Sequence, residues 1–476
     1  MALHRRALLG AAAASAAFSG YALRASAQTA AAGAAADTET YLNEVYGYGP
    51  LKPDPYRILD LPEGFSYRVI SHAGQTMDDG FDVPYKADGM AAIPLGGSRV
   101  ALLRNHELNP RDLNYGPLGH GRRHADKLKR DMAYDVGPDG YPLPGGVTTM
   151  IYDLKSQKLV RQHLSLVGTA VNCAGGATPW GSWLTCEETT LSQKAGLGKA
   201  HGWVFEVPAS ARGLVDPVPL TGLGRFQHEA AAVDPETGVV YLTEDAFDSK
   251  GLFYRFLPND RRHLAKGGRL QVLGFRDAPE GGDARNMKGE DPTWAVGDSR
   301  ACVWIDVEGA DNPDEDLRFR MQKAGAAFVG RGEGIFWSPE GVYFTCTSSG
   351  PAGHGQVLRY VPSPHEGQVG EADAPGQLHL FVEPSESRVM DFADNLAIAP
   401  WGHMFACEDR YSDTLRNHLK GITPDGRVYT IARNVFEGNA ELAGACFSPD
   451  GSTCFVNIYW PGLTLAITGP WNSFRV

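Results

Sequence analysis

"VNCAGGATPWGSWLTCEE", residues 171–188, carries the pattern from which the fold is read. A metal-competent side chain, Cys173, opens a run of small residues. A Pro-Trp-Gly turn follows, and a β-prone stretch then ends in paired carboxylates, Glu187 and Glu188. Glycine supplies a positive φ and proline halts the incoming strand, so such a turn joins two antiparallel strands. The unit recurs as "EAAAVDPETGVVYLTED" (229–245), "EGIFWSPEGVYFTCTSS" (333–349), "DNLAIAPWGHMFACED" (394–409), "ELAGACFSPDGSTCFVNI" (441–458) and "DGMAAIPLGGSRVALLRNHE" (88–107). The turn glycines are Gly97, Gly181, Gly238, Gly341, Gly402 and Gly451. Hairpins recurring roughly every 50–60 residues match the blade period of a propeller. The expected fold is an all-β, six-bladed β-propeller, with insertions in the longer intervals 97–181 and 238–341 and short helices over 122–132 and 312–328.

The rest of the chain fits an exported globular protein. It has 476 residues, 43% of them hydrophobic and 21% charged, with 57 Gly and 31 Pro, as a turn-rich β-protein requires. Arg5 and Arg6 precede a weakly hydrophobic, alanine-rich run that ends in small residues near Ala27, the form of a twin-arginine export signal. The organisation expected is a signal over 1–27, an N-terminal extension over 28–60 and one propeller domain over 61–476, located in the periplasm or secreted. No later stretch is apolar for long enough to span a membrane. Losing the three arginines of the signal lowers the 44 basic residues to 41 against 56 acidic ones, a formal charge of −15. Nucleic acid and anionic membrane are therefore excluded as partners, and an anionic substrate would need local positive charge. The seven cysteines include no CxxC pair, and most lie in strand-like runs, where a small buried hydrophobe is the ordinary reading.

Eight to ten positions before each turn glycine stands a polar, metal-competent residue: Asp88, Cys173, Glu229, Glu333, Asp394 or Glu441. A propeller brings equivalent positions of its blades to one central channel. Anions gathered there at low dielectric must protonate or bind cations. Carboxylates alone suit calcium or magnesium, whereas a thiolate favours a transition metal such as iron or zinc in part of the set. A second series of acids follows the next strand: Glu187, Glu188, Glu244, Asp245, Glu408 and Asp409. Arg331, two residues before Glu333, suits a phosphate or carboxylate oxygen, and Asn105 beside Glu107 offers an amide to an anion. His106 and His228 are read as structural.

These motifs resemble the PhoX-type alkaline phosphatases of bacteria. The likeness rests on the twin-arginine start, "DGMAA", "RNHE", the 172–188 block, "QHEA", "RGEGI", the 394–409 unit and the terminal "FVNI" to "AITGPW" stretch. It implies a six-bladed propeller holding a pair of Fe3+ ions and several Ca2+ ions. It also implies metal ligation by Cys173, Glu188, Glu229, Glu333, Asp394 and Glu441, and phosphoryl contacts from Arg331 and Asn105. The expected function is hydrolysis of small phosphorylated substrates, namely phosphomonoesters, by a monomer. Two rivals stand beside it: a calcium-dependent propeller lactonase or phosphotriesterase, and a non-catalytic periplasmic binding propeller.

Overall fold

The computed structural model describes Ala25–Ser26 and residues 40–410, 412 and 415–476. The signal expected over 1–27 otherwise lies outside the described residues. Six antiparallel blades succeed one another along the chain. Their inner strands are Ala87–Gly96, Asn172–Ala177, His228–Val233, Gly332–Ser338, Ala393–Ile398 and Leu442–Phe447, numbered here as blades 1 to 6. Each inner strand packs against the next, and the sixth packs against the first, so the ring is closed.

The hydrogen-bonded sheets number five rather than six. Strand Ser299–Asp306, supplied by the long insertion, pairs with Gly268–Phe275 of blade 3 on one side and Gln377–Val382 of blade 4 on the other. It fuses those two blades into one nine-stranded sheet. The last blade takes Leu442–Phe447, Thr453–Ile458 and Leu463–Thr468 from the C-terminus and Ser66–His72 from the N-terminal region. Residues expected to be an N-terminal extension contribute Leu51–Lys52 and Leu59–Pro62 to the outer edge of blade 5. Strands from the N-terminal and the C-terminal regions are thereby sewn into the ring.

The blades stack face to face, so successive residues of one strand enter different cores. In blade 3, Val240 and Leu242 pack with Leu184 and Val204 of blade 2, while Tyr241 between them packs with Leu358 and Tyr360 of blade 4. This two-sided burial explains the continuous apolar runs, and it absorbs the cysteines. All seven are buried and unpaired, and six of them, Cys173 excepted, serve as small hydrophobes within or beside these cores. The two helical expectations shrink. Residues 122–132 form short 3₁₀ turns around left-handed Gly121, with Arg122 and Arg123 paired to Asp139 and Asp82. The second segment is helical only over Leu317–Lys323.

Side-chain latches from one register of the second strand fasten four of the six blade junctions close to the axis, and at the junction of blades 5 and 6 the Asn395 amide oxygen accepts from Gly444 N (2.7 Å). Asn105 of blade 1 donates to the carbonyls of Cys173 (3.1 Å) and Ala174 (2.7 Å) in blade 2. Thr243 donates to the Glu333 carbonyl (2.5 Å), Thr345 to that of Asp394 (2.6 Å) and Asn457 to that of Asp88 (2.6 Å). Each of the four side-chain donors stands one residue before the strand-end pair of its own blade, and its acceptor belongs to the following blade. The remaining two junctions have Cys186 and Cys407 at this position. Contact is close: a Cβ on Gly334 would lie 2.7 Å from the Asp394 carbonyl oxygen.

Replacing a latch by an apolar isostere strands buried carbonyls, at about 1–3 kcal/mol each. Asn105→Leu is expected to lower stability by roughly 2–4 kcal/mol, read as an earlier denaturant midpoint. An unchanged midpoint with lost turnover would return Asn105 to a substrate-contacting role.

Candidate metal centre

Each inner strand carries the same irregularity. In blades 1 to 5 the ladder slips directly after Ala87, Asn172, His228, Gly332 and Ala393, so two residues oppose one on the partner strand. A bulge of this kind re-aims a side chain. The re-aimed residues are Asp88, Cys173, Glu229, Glu333 and Asp394. Blade 6 differs. Leu442 and Ala443 still pair with Ile458 and Asn457, and the slip follows one residue later. By register the sixth slot therefore holds Ala443, and the expectation that Glu441 continues the ring is corrected. Glu441 occupies the lead-in position before the strand, which in blade 4 is Arg331, and reaches the same cavity from there.

The lead-in residue has a left-handed backbone in four blades: Lys86 (φ 50°), Val171 (φ 52°), Arg331 (φ 48°) and Phe392 (φ 50°). None is glycine, so each bend carries strain of about 1 kcal/mol or more. Each lead-in carbonyl accepts a backbone hydrogen bond from the residue just after the second strand: Glu107, Glu188, Thr347 and Asp409 donate to Lys86, Val171, Arg331 and Phe392. In the other blades Asp245 and Tyr459 donate to Gln227 and Glu441. The inner ligand and the strand-end residue of one blade are thus fixed together.

Strand alternation sorts the second series of acids. Of each adjacent pair, the first carboxylate turns into the blade and the second faces the channel. Glu187 accepts from the amides of Ala170, Gly202 and Trp203 and from His201 (2.6 Å). Glu408 accepts from Asp391 N, His418 and Arg410, and Glu244 from Leu252 N and the Tyr254 hydroxyl. Those three hold the loops outside the channel. Glu188, Asp245 and Asp409 line it, together with Glu107 and Tyr459 from the same register.

The resulting cavity, of about 800 Å³, is also walled by Asp88, Cys173, Arg331, Glu333, Asp394 and Glu441. Three donor triples have their ligand atoms within 4.8 Å of one another: Cys173, Glu188 and Glu229; Glu229, Glu333 and Asp394; Asp394, Asp409 and Glu441. Glu229 and Asp394 are shared. Glu229 is wholly buried, yet neither carboxylate oxygen has a hydrogen-bond partner. Cys173 Sγ lies 3.6 Å from Asp88 Oδ2. Burial, followed by the neighbouring acids, pushes the carboxyls of Asp88, Glu188, Glu229, Glu333 and Glu441 well above their usual range, and the Cys173 thiol likewise. Such a donor set fits cations: hard oxygens throughout, with sulfur at one end.

Two arginines line the cavity: Arg410 is tied to Asp391, Glu408 and the carbonyls of Ser387 and Arg416, and Arg331 reaches the second donor triple. Its Nε and Nη2 bond Asp245 at 2.9 and 2.6 Å, and Nη2 lies 3.4 Å from Glu333. Nη1 has no protein partner among the described residues, so this edge of the fork is open. Asn105 is placed differently from expectation. It is fully buried, its amide hydrogens hold the Cys173 strand and its oxygen accepts from Trp183 Nε1 (2.8 Å), so no group of it faces the cavity. The sequence signal was the recurring polar residue one place before each strand-end pair, seen also at Thr243, Thr345 and Asn457. Glu107, Asp245 and Tyr459 were legible in the same way.

A closed propeller whose axial cavity is lined by acids, one thiol and a clamped arginine defines a metal-site propeller protein. Family comparison specifies the class further: the chain matches the profile described as Alkaline phosphatase PhoX over residues 46–139 and 145–462, and it belongs to that family. Among solved structures, Pseudomonas fluorescens PhoX in complex with vanadate, a transition-state analogue, superposes with a TM-score of 0.65 at 19% identity, covering 92% of this chain and 99% of that one. A gluconolactonase from Xanthomonas campestris matches with a TM-score of 0.40 at 12% identity over 89% and 98% of the two chains. No curated protein sequence matches. Among the described residues no helix is long and apolar enough to cross a membrane.

Because Glu229 and Asp394 each serve two triples, Glu229→Gln is expected to remove at least two equivalents of bound metal and Glu441→Gln about one, measured by elemental analysis. Equal losses would contradict the shared arrangement. Titration gives a second expectation. Burial and the charge of Asp409 raise the Asp394 carboxyl to about 7. A carboxyl raised above its unfolded value stabilises the fold only while protonated, so this contribution is full below about pH 4 and lost as the pH climbs through about 7. A bound cation such as calcium would replace protons as the counter-charge. The melting-temperature gap between calcium-loaded and metal-free protein should therefore widen from about pH 5 to about pH 8, and a gap that narrows would contradict the cluster.

Proposed function

We propose that this protein is an exported, metal-dependent phosphatase that hydrolyses phosphomonoesters in the axial cavity. The observation that carries the reading is the convergence of three overlapping donor triples with one arginine fork in a single cavity of a PhoX-family propeller. Iron is assigned to the sulfur end, with Cys173 and Glu229 among its ligands, and calcium to the all-oxygen triples. Bound cations would supply positive charge to polarise the phosphoryl oxygens and to acidify the attacking water.

The chain's own residues do the rest. Its acids exclude a phosphate dianion until they are neutralised, which makes cation loading a condition for substrate entry. Asp245 fixes the plane of the Arg331 fork, leaving Nη1 for a phosphoryl oxygen whose charge grows in the transition state. Tyr459 lines the wall and donates to Glu107. Its burial holds the phenol protonated far into the alkaline range, so that wall keeps its hydrogen bond where an alkaline phosphatase works. Export through the twin-arginine route, which carries folded proteins, agrees with a site whose metals are built into the ring.

Protein purified with its native metals should hydrolyse p-nitrophenyl phosphate at alkaline pH and leave lactones and phosphotriesters untouched. Arg331→Ala should lower kcat/KM by about 10²–10³. Cys173→Ser should lose iron and turnover together. Full turnover by the serine variant, or calcium-only protein that opens lactones, would overturn the assignment.

A further inference from the structure

The geometry points to Phe247 as a binding platform for the leaving group of aromatic phosphate esters, which makes this residue a determinant of substrate preference. The inference rests on the phosphatase reading. Phe247 follows Asp245 by two residues on the loop leaving the second strand of blade 3, and it lines the same cavity as Arg331. Its ring lies over the Arg331 guanidinium, 5.1 Å from ring centroid to Cζ. Phe247 is 70% exposed, so its ring is accessible to a ligand in that cavity. Among the described residues no other ring packs on it.

Trp460 on the same wall is differently placed. Its ring is engaged by Tyr85 and Tyr115, with centroids at 5.3 and 5.4 Å, so it belongs to a packed cluster. Among the described residues that line the cavity, Phe247 is the one exposed aromatic ring, Tyr459 and Trp460 being partly buried. A phosphoryl oxygen on the free Nη1 of Arg331 puts the ester oxygen and its substituent next to the guanidinium, and hence within reach of the ring that caps it. A flat leaving group, phenol or a nucleoside base, can stack offset on that face, whereas an open-chain polyol has no face to present. The guanidinium behind the ring also fixes its orientation before substrate arrives, which reduces the ordering cost of stacking.

The test compares phenyl phosphate with glycerol phosphate, using wild-type protein, Phe247→Ala and Phe247→Trp. The alanine variant should lower the ratio of kcat/KM for phenyl phosphate over glycerol phosphate by roughly ten-fold, and tryptophan should restore it. A binding readout free of chemistry accompanies it: inhibition by phenylphosphonate should weaken by a similar factor relative to methylphosphonate. An unchanged ratio, whether both esters slow equally or neither does, overturns the platform, since equal slowing means that the ring only braces Arg331. Wild-type protein that hydrolyses neither ester fails the phosphatase reading itself, a result distinguishable from either of these.

Discussion

Like charge drawn to one axis is the constraint on which this molecule turns. Two unit negative charges 4.8 Å apart repel by about 3–4 kcal/mol at an effective dielectric near 20, and each donor triple, with its carboxylates and any thiolate ionised, contains three such pairs. One fully ionised triple therefore costs about 10 kcal/mol, comparable with the whole folding free energy of an ordinary domain. The fold can keep the arrangement only with protons or cations in it. Above neutral pH protons are scarce, which leaves cations. The unsatisfied oxygens of Glu229 make the same point locally, because a buried carboxylate with no donor is otherwise among the least favourable groups a protein can hold.

The surrounding structure is organised to withstand that repulsion. The ring closes by strand exchange between the N-terminal and the C-terminal regions, so no blade can swing outward alone. Four polar latches then pin the carbonyls of Asp88, Cys173, Glu333 and Asp394 themselves, fastening each blade where the ligand leaves it. Left-handed lead-in residues, including β-branched Val171, show that the backbone accepts strain to aim these side chains. The strain is offset by the hydrogen bond that each lead-in carbonyl takes from the strand-end residue of its blade.

The repeat was legible because a propeller strand is buried on both faces and bounded by turn chemistry, and both leave plain marks in a sequence. The donor types were legible because Asp, Glu and Cys do not recur at one register by accident. Bulge positions were not, since a slip of one residue adds no characteristic residue type. That is why Glu441, ten residues before its glycine, passed for a ring member although its register partner is Arg331. The alternation within Glu187-Glu188, Glu244-Asp245 and Glu408-Asp409 could have been read from strand periodicity alone. Asn105 was misjudged for a different reason: an amide next to an acid looks the same whether it faces ligand or backbone, and only the neighbouring blade, 68 residues away along the chain, distinguishes the two. The fusion of blades 3 and 4 through Ser299–Asp306 depends on a pairing between insertions that has no local signature at all.

The same electrostatics bear on how an acidic protein accepts an acidic substrate. With a formal charge of −12 and a cavity dominated by carboxylates, the long-range field repels a phosphate ester, and neither lining arginine reverses it, because Asp245 and Glu333 neutralise Arg331 while Asp391 and Glu408 neutralise Arg410. On the proposed reading, multivalent cations held by the triples would invert the sign locally while leaving the exterior acidic. On that reading Arg331 acts less as a charge than as a template. Its plane is set by a bidentate partner, one face is covered by Phe247, and one nitrogen remains for the ligand. Lysine would supply the charge without that geometry, which is why the position calls for arginine. On the proposed reading substrate affinity and cation occupancy are linked, and linkage works in both directions: whatever strengthens the cation cluster would strengthen phosphate binding, and a bound phosphate would hold the cations in place.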